Sequence, residues 1–78
     1  MTTRIDARGL LCPLPVLRLR KILLDLPPGA RVVLVATDPA AIIDVPHFCR
    51  ESGHLLIETR PLDDGSAEYL VERGAEDA

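Results

Sequence analysis

The chain is interrupted at short intervals. Gly9, Pro13, Pro15, the run Pro27-Pro28-Gly29, Asp38-Pro39, Pro46, Gly53 and Asp64-Gly65 divide it into segments too brief for a long helix or a broad strand. Between those breaks only short elements fit, and periodicity says which type each one is. Arg4-Ile5-Asp6-Ala7-Arg8 alternates apolar and polar residues and reads as a first strand, broken by Gly9. A helix is expected over Pro13 to Leu26, because proline is tolerated in a first helical turn and Pro27-Pro28-Gly29 cannot continue one. Val16, Leu19, Ile22, Leu23 and Leu26 share its inner face, while Leu14, Arg18, Lys21 and Asp25 form the opposite column. Arg20 falls between them, its stem expected along apolar surface and its head in water.

Arg31 to Thr37 is rich in β-branched residues and apolar on both faces, the signature of a central, parallel-type strand. Asp38 followed by Pro39 offers a cap and a single turn through Ile43, and Asp44 repeats the device for a second helix ending at Ser52. Pro46 argues against one uninterrupted helix from Pro39, and Gly53 supplies the stop. His54 to Arg60 and Ser66 to Arg73 read as strands joined by an Asp64-Gly65 hairpin, with an acidic tail over Gly74 to Ala78. The order β-α-β-α-β-β predicts an α/β (α+β) two-layer sandwich with both helices on one sheet face. A chain of 78 residues is expected to form one domain, with an ordered core from about residue 4 to 74.

Composition narrows the function classes. The net charge is −3, with one Phe, one Tyr and no Trp, so neither the basic face nor the stacking aromatics of a nucleic-acid binder are present. The longest apolar run, Ala30 to Thr37, contains Arg31 and is far too short to span a bilayer, so no membrane partner is expected. No apolar stretch follows Met1-Thr2-Thr3-Arg4, so no signal peptide is expected. Two cysteines are too few for a disulfide scaffold. A cytoplasmic setting follows, in which Cys12 stays a thiol.

Cys12 stands between the first strand and the first helix, with Pro13 and Pro15 directly after it. A sulfur at a helix start faces the positive end of the helix dipole, which favours the thiolate, the nucleophilic form of cysteine. With Pro13 and Pro15 lacking N–H groups, the N–H of Leu14 is expected to point at the sulfur, and Arg8 and Arg18 are close enough in sequence to help. A lowered pKa would also make Cys12 a better leaving group in sulfur exchange. Dithiol redox chemistry fails on position, since the residue three after Cys12 is Pro15. Cys49 follows Phe48 and is expected to be buried. His47, Cys49 and His54 with Cys12 match none of the usual zinc spacings, so no metal is expected. Asp6, Asp38 and Asp44 rank as structural, the latter two as caps. Three competing readings of Cys12 stay open on residues alone. It is a packing residue; it is a redox sensor; or it is incidental to an interaction module built on Leu10, Leu11 and Leu14.

The residues also resemble a known family. Asp6, Gly9, Cys12-Pro13-x-Pro15, Lys21, Gly29, Asp38-Pro39, Asp44-x-Pro46-x-Phe48-Cys49 and Gly53-His54 look like the TusA/SirA family of small sulfur-carrier proteins. The resemblance runs from about Arg4 to Gly74. It implies a two-layer sandwich with a mixed four-stranded sheet. It further implies that Cys12 takes up sulfane sulfur as a persulfide and passes it to another protein's thiol, with Pro13 and Pro15 positioning it. The implied partners are a cysteine desulfurase or another sulfane-sulfur donor protein, and a relay acceptor serving tRNA 2-thiolation, molybdenum-cofactor synthesis or sulfur oxidation. No cofactor is implied. Leu10, Leu11 and Leu14 surround the thiol as docking contacts, and Arg18 and Lys21 extend that column towards an acidic partner. Leu11 and Leu14 depart from the polar or charged residues of the tRNA-thiolating members.

Overall fold

The computed structural model describes residues 2–75. Six elements follow in the expected order. They are β1 (Thr2–Ala7), α1 (Leu14–Leu24), β2 (Arg31–Ala36), α2 (Ala41–Ser52), β3 (Leu55–Pro61) and β4 (Ala67–Glu72). The strands form one sheet in the order β1-β2-β4-β3. β2 pairs parallel with β1 and antiparallel with β4, while β3 and β4 form an antiparallel hairpin. The sheet is therefore mixed, and the parallel character expected of β2 holds on one side only.

Register and alternation put one apolar row under the helices. Ile5 lies opposite Leu34, which lies opposite Tyr69, and Val32 lies opposite Val71. All five are buried in the same cluster as Leu19 and Leu23 of α1 and Val45, Phe48 and Cys49 of α2. Fully burying a leucine such as Leu19, Leu23 or Leu34 is worth about 1.5–3 kcal/mol. The opposite face of the sheet is wet. There Glu68 bridges Arg4 and Arg60, and Arg31 pairs with Glu72.

Most strand and helix ends differ from expectation by one or two residues. α1 ends at Leu24 rather than Leu26, because the N–H groups of Asp25 and Leu26 turn to the carbonyls of Ile22 and Leu23. These three-residue bonds tighten and close the last turn. β3 starts at Leu55, and it carries an irregularity at Ile57, the residue skipped between the pairs Leu56–Val71 and Glu58–Leu70. The acidic tail lies partly outside the described residues.

The larger correction concerns α2. It is one uninterrupted helix from Ala41 to Ser52 with Pro46 inside it, and Asp44 sits in its first turn instead of capping a separate helix. A proline this early removes the single N–H that would have met the Ile42 carbonyl. Burial of Val45, Phe48 and Cys49 offsets that loss. At the far end Gly53 takes the left-handed conformation at φ 77°, and the N–H of His54 returns to the Cys49 carbonyl. A Cβ on Gly74 would run into the Gly53 carbonyl, so the last described turn passes α2 at a distance only glycine permits.

Candidate functional site

The parallel pair β1 and β2 points its carboxyl ends at the same edge of the sheet. Two connections leave from that edge: the loop carrying Cys12, and the Asp38-Pro39 turn that leads into α2. Open sheets of parallel strands commonly present their reactive groups there. Backbone bonds stitch the two connections together. Gly9 donates its N–H to Thr37 Oγ1 at 2.9 Å, and Cys12 donates its N–H to Asp38 Oδ2. The other oxygen of Asp38 accepts the N–H of Ala40 at 3.1 Å. Asp38 thus does more than start a turn, because one carboxylate fixes both the Cys12 backbone and the approach to α2. Pro13 is the N-cap of α1, which puts Cys12 one residue before the cap. The Cys12–Pro13 peptide bond is cis. Pro15 is buried beneath the loop, and Cys12 is exposed.

The electrostatics of Cys12 reverse the expectation from sequence. Its Sγ lies 2.9 Å from Asp44 Oδ2. Hydrogen bonding to Asp44, loss of solvent, and the negative charges of Asp44 and Asp38 together raise the thiol above its ordinary value. The helpers named from sequence are occupied elsewhere. The N–H of Leu14 donates to the Leu11 carbonyl at 2.8 Å. Arg8 embraces Asp6 through two side-chain bonds of 2.9 and 3.0 Å and reaches Asp64 at 3.6 Å. That pairing holds the exposed Asp6 carboxyl well down, to about 2, and Arg8 is not drawn to the sulfur. Arg18 lies along α1, beside Leu14 and Lys21. The positive start of α1 favours a thiolate at Cys12, whereas the carboxylates of Asp44 and Asp38 oppose it.

Two hollows flank α1. The first, about 470 Å³, is lined by Leu10, Leu14, Leu17, Arg18 and Lys21 among others. It holds four of the five residues expected to dock a partner. Leu11 lies outside it and is 70% exposed. Leu10 is half-buried and packs on the core, so of the three leucines it contributes least free surface. The second hollow, about 310 Å³, contains Cys12 itself and runs between α1 and α2, with Pro13, Val16 and Phe48 as apolar walls and Asp44, His47 and Glu51 as polar ones. Sequence reading did not anticipate this hollow. Its signal was present, since Asp44, His47, Phe48 and Glu51 are spaced three, four and seven apart, one face of an unbroken helix. All four fall within the second helix expected from Asp44 to Ser52, but Asp44 ranks there as a cap, and nothing local in the sequence brings that face to Cys12. Ile42 and Ile43, next to Asp44, were also missed as exposed apolar residues.

The remaining candidates separate from Cys12. Cys49 is buried in the core, and burial pushes its thiol up to about 11. His54 is buried, accepts the N–H of Gly74 on Nδ1 at 3.0 Å, and stacks obliquely near Phe48. Among the described residues, no three His, Cys, Asp or Glu side chains converge as a metal ligand set. No helix of the described residues is long and apolar enough to cross a membrane.

Comparison with known proteins agrees with this architecture. Residues 3–73 match the family described as Sulfurtransferase TusA. Proteins described as Sulfur carrier protein TusA, from Pseudomonas aeruginosa and Pseudomonas paraeruginosa, are each 39% identical over 72 residues, covering 92% of this chain and 90% of theirs. The crystal structure of a SirA-like protein from Desulfitobacterium hafniense superposes with a TM-score of 0.83 at 28% identity, covering 95% of this chain and 99% of that one.

Proposed function

The chain belongs to the TusA family of sulfur carriers, and on that premise we propose that Sγ of Cys12 is the atom that carries the sulfur. The observation that supports this reading is the exposure of Cys12 at the carboxyl ends of the parallel strands, with its backbone held by Asp38. Cys49, the other thiol, is buried and out of a partner's reach.

In the first half of the cycle the Cys12 thiolate attacks the outer sulfur of a donor persulfide. A new S–S bond forms at Sγ as the donor's S–S bond breaks, and the donor leaves as a thiolate. In the second half an acceptor thiolate attacks the outer sulfur now on Cys12, and Cys12 leaves. The sulfur is transferred between proteins with no cofactor, so the chain acts as a sulfurtransferase only together with its donor and acceptor. The donor is a cysteine desulfurase or another protein persulfide, and the acceptor is a relay protein with an accessible thiol in the same reducing cytoplasm. A thiol that resists ionisation is less often a thiolate, but each thiolate it forms is the stronger nucleophile.

The partners meet Cys12 across apolar surface. Leu11 and Leu14 flank it on the loop and on α1, Arg18 and Lys21 extend the α1 side, and Ile42 and Ile43 are exposed on α2. Pro13 and Pro15 hold the thiol beside the start of α1.

Incubation with a cysteine desulfurase and free cysteine tests this directly. The intact protein gains the mass of one sulfur atom, and peptide mapping places it on Cys12. Equal loading of Cys12→Ser and wild type would refute the assignment.

A further inference from the structure

The contact between Cys12 and Asp44 joins two elements 32 residues apart in sequence, and the assigned role of the thiol does not by itself require it. The charged groups acting on the sulfur are Asp38, from the turn after β2, and Asp44, from α2, while His47 and Glu51 of α2 line the same hollow. From α1 and its cap come only Pro13 and Val16, both apolar. Arg8, the nearest cation in sequence, is engaged by Asp6 and Asp64. The charged side chains around the thiol are therefore mainly carboxylates, set among the apolar walls of Pro13, Val16 and Phe48.

We propose that Asp44 is a positioning residue that makes Cys12 a temporary holder of sulfur, because its carboxylate accepts the hydrogen bond of the empty thiol and repels the loaded persulfide. The inference rests on the persulfide reading of Cys12. In the empty protein the S–H donates to Asp44 Oδ2. On loading, the thiol proton passes to solvent, Sγ bonds to the outer sulfur of the incoming persulfide, and the donor departs as a thiolate that takes up a proton. The sulfane sulfur changes partner with no net oxidation or reduction.

A persulfide is a stronger acid than the thiol it came from, so the loaded group is an anion at neutral pH. Sγ then has no hydrogen to donate, and the negative outer sulfur stands beside Asp44 and Asp38. Loading exchanges a hydrogen bond for a like-charge contact, and unloading reverses the exchange. The bias favours delivery over retention.

Asp44→Asn keeps the shape, removes the charge and can donate to an anion. Two readouts follow, each taken on the Cys12 peptide by mass spectrometry. The first is the pH midpoint of Cys12 alkylation by iodoacetamide. In wild type it lies above that of glutathione, and in Asp44→Asn it falls by about one pH unit. The second is the constant for exchange between glutathione persulfide and Cys12 at about pH 8, which rises roughly tenfold in the variant. A wild-type midpoint at or below that of glutathione overturns the proposal. So does an unmoved midpoint in the variant, or an exchange constant that stays level or falls. If Asp44→Asn does not fold, Asp44→Ser carries the same two readouts. If wild type takes no sulfur at all from glutathione persulfide, the persulfide reading fails and the loading bias with it, while the alkylation midpoints still decide whether Asp44 holds the thiol.

Discussion

The chain contains the same side chain in two settings. Cys12 and Cys49 both resist ionisation, for different reasons. Cys49 sits on the inner face of α2, where lack of solvent alone disfavours its anion, and its sulfur is one more apolar atom of the core. Cys12 is exposed, and carboxylates from the β2–α2 turn and from the first turn of α2 oppose its charge. Burial is fixed for as long as the protein stays folded. A carboxylate beside an exposed sulfur can be neutralised by a partner's cation or left behind when the sulfur turns outward. An unreactive thiol and a conditional one can therefore share a direction of pKa shift.

The largest expected effect is kinetic. In the native protein iodoacetamide should modify Cys12 at least roughly a hundredfold faster than Cys49, because the buried thiol reacts only through opening of the fold. Peptide-level mass spectrometry over a time course measures both rates. Comparable rates would mean that α2 opens readily, and the contrast between the two thiols would collapse.

The next effect is on stability and divides the two cysteines the other way. Cys49→Ser places a hydroxyl in the core beside Phe48 and Val45 and should cost about 1–3 kcal/mol in urea unfolding, with Cys12 loading unchanged. Cys12→Ser should stay within about 0.5 kcal/mol of wild type, since serine keeps a donor for Asp44. Gly74→Ala belongs with Cys49. It presses a methyl against the Gly53 carbonyl at the end of α2 and should cost about 1–3 kcal/mol without altering the thiol at the other end.

Sequence made one half of this contrast easier to read than the other. Glycine and proline breaks, the β-branched run of β2 and the Asp64-Gly65 turn act locally, so the order of elements and the burial of Cys49 could be read from short windows. Pro46 misled because a proline's effect depends on its place in a helix and on what the helix buries. Early in α2 it costs one hydrogen bond, which Val45, Phe48 and Cys49 outweigh. The charge state of Cys12 was hidden for a related reason. The positive end of α1 is visible beside it in sequence, whereas Asp38 and Asp44 reach it only through the pairing of β1 with β2. A helix start suggests an acidic thiol only when nothing negative folds onto it.

The smallest expected effect is a pH dependence confined to the Cys49 end. His54 is buried between Phe48 and Gly74, and burial, then the charge of Arg73, lower its pKa below the usual 6.5. Its Nδ1 accepts the Gly74 N–H and so carries no proton in the folded protein. As pH falls through about 6.5 the unfolded chain takes up a proton that folded His54 refuses, so stability declines with falling pH until the folded pKa is passed. Urea midpoints should therefore drop modestly between about pH 7.5 and pH 5.5, above the range in which carboxylates titrate. His54→Gln should be less stable at the upper pH and flatter across the interval. Because Cys12 lies at the other end of α2, its loading relative to folded protein should not follow that curve. If His54→Gln changes the pH dependence of loading per folded protein, the two ends of α2 are coupled, and the separation of a fixed thiol from a conditional one is wrong.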